Sequence, residues 1–103
     1  MKLMTKDIER KLLKTTLNSD ESMNENAKVI VKYFNPLGKA TWLITAGEKQ
    51  PDGDWLLSGY CRISKWEWGC VSLRELMSVK LPLGMTIERD MCATGTVADL
   101  SAA

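Results

Sequence analysis

A chain of 103 residues with 14 basic and 13 acidic side chains, net charge +1, is long enough for one domain and too evenly charged for a whole-domain nucleic-acid footprint. It has no histidine, which removes Ser-His-Asp triads, Cys-His pairs and zinc-binding H-E-x-x-H helices, and it carries neither a phosphate-binding G-x-x-x-x-G-K-[ST] loop nor a G-x-G-x-x-G turn. No apolar run approaches the ~20 residues of a membrane span, and no apolar stretch follows Lys2 as a signal peptide requires, so a cytoplasmic location is expected.

The first segment reads as a helix over residues 6–17. Thr5 is placed to cap it, Asp7 and Glu9 suit the positive end of its dipole, and Ile8, Leu12 and Leu13 form an apolar stripe. Lys6, Arg10 and Lys14 line up at i, i+4, i+8, with Lys11 beside them. This basic row is a solvated face in the simplest reading, and a contact for phosphate or an acidic partner in the sharper one. Residues 18–26 are polar and acidic and read as a loop.

Strands follow. Val29, Val31 and Tyr33 alternate with Lys28, Ile30, Lys32 and Phe34, and Asn35-Pro36-Leu37-Gly38 turns the chain into a second strand over residues 40–46. A loop is expected over residues 47–53, then a third strand over 55–63 with Tyr60 and Arg62 on one face and Gly59 and Cys61 on the other. A fourth, short strand is expected over 68–71. Ser72-Leu73-Arg74-Glu75 has the spacing of a capping box and opens a short helix with Leu73, Leu76 and Met77 buried, which Pro82 stops. Residues 87–91 read as an edge strand, and residues 92–103 are small and polar enough to fray. The fold class is therefore α+β: one domain over residues 1–103, ordered over about residues 5–91. A four- to five-stranded, mostly antiparallel meander carries an N-terminal helix as its cover and one short helix in the C-terminal half.

Few groups could carry chemistry. Cys61, Cys70 and Cys92 are odd in number, lack C-x-x-C spacing and are too few for a structural zinc site, so reduced apolar cysteines, no metal and no cofactor are expected. Asp52 and Asp54 flank Gly53 and read first as a turn that satisfies its own backbone. With Glu88 and Asp90 they would also be the acids of a carboxylate enzyme, were the four to converge. In Glu88-Arg89-Asp90 the acids project to one side and Arg89 to the other, where Asp52, Asp54 or Glu75 could pair with it. Trp42 and Trp55, both in strands, are expected in the core or half-buried. Trp66 and Trp68 share a face, either as packing or as an aromatic anchor, with Arg62 and Lys65 close by.

The chain resembles the family known as domain of unknown function 2958. The resemblance rests on Met4-Thr5-Lys6-Asp7-Ile8, Val29 to Pro36 with Gly38 and Trp42, Gly47, Asp52-Gly53-Asp54, Gly59-Tyr60, Gly69, Ser72-Leu73 with Glu75-Leu76, and Pro82-Leu83-Gly84 with Ile87-Glu88-Arg89-Asp90. It implies a small bacterial cytosolic protein of plasmids, conjugative elements or phages, with no assigned catalytic residues. Cys70-Val71 stands where the family has an aromatic pair, and Trp66-Glu67-Trp68 is distinctive, which points to a specialised surface over residues 63–70. The expected function is that of a non-catalytic accessory protein of a mobile element. It would bind a host protein or complex through Arg62, Lys65, Trp66, Glu67, Trp68, Glu88, Arg89 and Asp90, as an anti-CRISPR or anti-restriction antagonist in its most concrete form. A nucleic-acid-binding accessory role through Lys6, Arg10, Lys11 and Lys14, and a carboxylate-based enzyme, are the alternatives.

Overall fold

A computed structural model describes residues 2–102. The order of elements is α1 (Lys6–Leu12), β1 (Val31–Phe34), β2 (Thr41–Lys49), β3 (Trp55–Arg62), β4 (Trp66–Ser72), α2 (Leu73–Ser78), a single 3-10 turn (Pro82–Gly84), β5 (Glu88–Arg89) and α3 (Val97–Ser101). The five strands form one antiparallel sheet in the order β4-β3-β2-β1-β5. The first four strands are the expected meander, and β5 returns along the free side of β1.

The central strand β2 is buried on both faces, so the sheet has two covers and not the one expected. On the first face Ile44, Val31, Tyr33, Trp55 and Leu57 pack with Ile8 and Leu12 of α1, Leu73 and Leu76 of α2, and Leu3 and Ile87. The Tyr33 hydroxyl donates to the Leu3 carbonyl at 2.6 Å and ties the N-terminal segment to β1. On the second face Leu43 is covered by Ala27, Val29 and Val97, with Leu100 beside them. The cover there is the segment expected to fray. Val97 is 1 % exposed, Thr96 closes a full capping box with Asp99, and Thr96 bridges back to Lys28. Burial of Val97 and the backbone bonds from Val97 to Ala27 and from Ala98 to Glu25 hold a helix that local composition does not favour.

Other boundaries move for similar reasons. Helix α1 starts as expected, with Thr5 Oγ1 accepting from the Ile8 N–H, but it ends at Leu12, well short of residue 17. There the Thr15 hydroxyl donates to the Leu12 carbonyl and accepts from the Gly47 N–H, which turns the chain onto β2. Leu13 is consequently 68 % exposed, and Lys14 lies beyond the helix. Strand β2 runs through the expected loop to Lys49, because a bulge at Thr45 restores pairing of residues 46–49 with β3. Strand β4 is seven residues long where four were expected. Ser72 caps α2 by accepting from the Glu75 N–H, but its hydroxyl donates to Asp54, and Met77 is exposed where burial was expected. Strand β5 spans two residues of the five expected.

Candidate functional site

Cross-strand register assigns every sequence-derived site residue to a face. One row runs across all five strands as Glu88, Phe34, Thr41, Arg62 and Trp66. The adjacent row on the same, second face is Lys32, Leu43, Tyr60 and Trp68. Asp90 joins this row through its N–H to the Lys32 carbonyl and an ion pair with Lys32 Nζ at 3.6 Å. Arg62, Trp66, Trp68, Glu88 and Asp90 therefore share one face, spread over about 19 Å from edge to edge at the usual strand spacing of ~4.8 Å. Lys65 sits in the β3–β4 turn, next to Trp66 in the chain, and lines the groove described below together with Glu67. Arg89 and Glu67 do not join them. They end a row on the first face, Arg89-Tyr33-Trp42-Cys61-Glu67.

At the β4 side of the second face the side chains form a ladder. Tyr60 and Trp66 stack with ring centroids 5.2 Å apart and planes within 9°. Trp68 lies 5.0 Å from Tyr60 at a tilt of 46°, and the Arg62 guanidinium sits 5.0 Å over the Trp66 ring. Arg62 Nε also donates to the Lys39 carbonyl at 3.2 Å, fixing the cation in place. All four side chains are half-buried, and Tyr60, Trp66 and Trp68 pack against the cluster of Ala27, Val29, Leu43 and Val97. Sequence reading identified Trp66, Trp68 and Arg62 but left Tyr60 out of the site. The signal was present, since Tyr60 and Arg62 alternate onto one strand face and a hairpin brings that face beside Trp66 and Trp68.

On the opposite face of the same hairpin lies a shallow groove of about 260 Å³, lined by Trp42, Cys61, Ile63, Glu67, Gly69 and Val71 among others. Ile63 is 67 % exposed, and a Cβ built on Gly69 meets nothing within 4 Å. Burial, with the nearby Cys70 thiol, pushes the Cys61 thiol up to about 11, so it stays protonated at neutral pH and acts as an apolar lining group. All three cysteines are free.

The acidic residues are placed apart. Asp54 accepts from the Ser72 hydroxyl and from the N–H groups of Trp55 and Arg74, and the Ser72 bond above all holds its carboxyl below the usual range. Asp52 pairs with Arg74 at 3.2 Å, taking the role considered for Arg89. Arg89 instead lies beside the Met91 sulfur, its Nη2 3.0 Å away, and across the strand from Tyr33. Asp52 and Asp54 follow the end of β2, whereas Glu88 is level with its start. Eight strand steps at ~3.3 Å put the two acidic pairs roughly 25 Å apart along the sheet. The four carboxylates do not converge, and among the described residues no group of three or more Cys, Asp and Glu side chains is arranged to hold a metal ion.

The basic row of α1 is broken up as well. Asp7 pairs with Lys11 at 3.2 Å and Arg10 at 3.7 Å, and Lys14 lies past the helix end. A larger hollow of about 530 Å³ between the N-terminal segment and α2 is lined by Met4, Glu9, Lys49, Trp55 and Met77 among others, with Glu9 and Lys49 paired at 3.6 Å. No described helix is long and apolar enough to cross a membrane.

No curated protein and no solved structure matches the chain. A family profile described as protein of unknown function (DUF2958) matches residues 3–102, nearly the whole sequence, and the chain belongs to that family.

Proposed function

We propose that this chain is a non-catalytic protein-binding module, and that the Arg62-Trp66-Tyr60-Trp68 ladder is where its partner docks. The ladder is the observation that carries the reading. Trp, Tyr and Arg are the residue types that dominate binding hot spots, and here all three are gathered at one half-exposed patch. The rings already hold one another, so little side-chain freedom is lost on binding. The partner in this reading is a host protein or complex, and the setting is a bacterial mobile element. Antagonism of a host defence system, anti-CRISPR or anti-restriction, is the concrete form. Nucleic-acid binding is the weaker reading. The Tyr60 and Trp66 faces are stacked on each other and on Arg62, which leaves a base little free ring face, and Asp7 offsets Arg10 and Lys11. Carboxylate catalysis is weaker still with the acids about 25 Å apart.

Affinity capture from host lysate tests the proposal when wild type is run beside Arg62→Glu and Trp66→Ala, with folding of each checked by circular dichroism. A protein recovered by wild type and lost with both variants supports it. Equal recovery by all three contradicts it. A gel shift that weakens steeply with salt and is carried by Lys6, Arg10 and Lys14 would favour nucleic acid instead.

A further inference from the structure

Strand β4 is an edge strand, hydrogen-bonded to β3 alone, and it is exposed at Glu67, Gly69 and Cys70. Proteins guard such edges by shortness, proline, bulges or an overlying element. Strand β5, at the other edge, is guarded by having only two residues. Strand β4 has seven, contains no proline, pairs with β3 without a register shift, and carries Glu67 as its single charge. About three of its residues direct N–H and C=O groups outward, as alternation in an antiparallel ladder requires. The two surfaces bordering this edge are the ladder on one face and the Gly69-floored groove on the other. At the hairpin end, neither Lys65 nor Arg62 forms an ion pair among the described residues, and with Lys39 these cations outnumber Glu67, so the local charge is net positive and suits an acid.

We propose that the chain binds its partner by strand addition: an extended peptide segment of the partner pairs with β4 as a sixth strand. The segment places a large apolar side chain in the groove over Gly69 and a carboxylate beside Lys65 and Arg62. Alternate residues of an added strand point to opposite faces, so the next side chains meet the edges of Trp66 and Trp68. Main-chain bonds supply affinity in this mode, and the groove and the two cations supply selectivity. The inference rests on the protein-binding reading and adds its mode.

The probe is a random linear dodecapeptide library displayed on phage and selected against the intact chain, followed by amide exchange with a selected synthetic peptide. Enriched peptides are expected to share an acidic residue and a large apolar residue. At about ten times its Kd the peptide leaves roughly a tenth of the chain free, so the outward amides of β4 should exchange about tenfold more slowly, with those of β5 unchanged. Gly69→Val fills the groove at a position with open space and should weaken the peptide about tenfold or more while the fold is kept. Lys65→Glu should abolish the preference for an acid. Three results would overturn the inference: no enrichment of any peptide, protection confined to the hollow beside α2, or β4 protection that rises with the chain's own concentration in the absence of peptide. The last would make a second copy the occupant. If lysate capture depends on Trp66 while peptides leave β4 unprotected, docking at the ladder stands and strand addition fails. If capture itself is indifferent to Trp66, the underlying reading fails.

Discussion

Replacing Val97 by alanine tests whether the C-terminal helix is part of the core that supports the ladder. Val97 is 1 % exposed and packs with Leu43, Ala27 and Val29 on the second face. The substitution removes two buried methyl groups, about 1.6 kcal/mol of transfer free energy at ~0.8 kcal/mol each. The space left behind is some 50 Å³, and at ~24 cal/mol per Å³ it adds up to about 1.2 kcal/mol if the walls do not collapse. The expected loss is therefore about 2–3 kcal/mol, a large part of the ~5–10 kcal/mol available to a domain of this size. For roughly 100 residues it corresponds to a fall in Tm of about 8–15 °C. Urea denaturation followed by circular dichroism gives the value directly, provided the m-value is unchanged. A change below about 0.5 kcal/mol would mean that residues 97–101 are not packed on Leu43, and the support for Tyr60, Trp66 and Trp68 would have to come from elsewhere.

Other substitutions probe separate contacts. Tyr33→Phe leaves the buried Leu3 carbonyl without its donor and should cost about 1–2 kcal/mol in the same titration. Gly59→Ala would place a Cβ 1.9 Å from the Leu43 carbonyl oxygen and should destabilise by about 3 kcal/mol or more, whereas Gly69→Ala, one strand over in the same row, should change stability by less than about 0.5 kcal/mol. Asp54 has its carboxyl pKa lowered in the fold, so the stability it adds is present above its unfolded pKa and is lost as pH falls through the folded one. The stability difference between wild type and Asp54→Asn should accordingly be constant above about pH 5 and shrink below it, and a difference that grows on acidification would refute the Ser72 and backbone contacts as its source.

The meander was legible because period-two alternation is local. Val31 and Tyr33, then Trp42 and Ile44, each announce a strand and its face, and the Asn35-Pro36-Leu37-Gly38 turn joins them. What escaped depends on partners distant in sequence. Helix α1 stops because Thr15 meets Gly47, 32 residues on. Helix α3 exists because Val97 finds Leu43, and a stretch rich in alanine and small polar residues carries little sign of that on its own. Met77 has the spacing of a buried residue, yet α2 is short and Leu73 and Leu76 alone satisfy its contact with the sheet. Alternation put Trp66 and Trp68 on one side, but their stacking on Tyr60 and the edge position of β4 required the strand order. For the same reason Arg89 and Glu67, close in character to the other site residues, fall on the opposite face.

Docking at the ladder is tested most directly by photo-crosslinking in host cells, with a photoreactive amino acid placed in turn at Lys65, next to Trp66 in the chain, and at Met77, exposed on α2. The ladder reading predicts a discrete crosslinked protein from position 65 that disappears when Trp66→Ala is added, and none from position 77. A crosslink from position 77 alone, or one from position 65 that persists without Trp66, would contradict it.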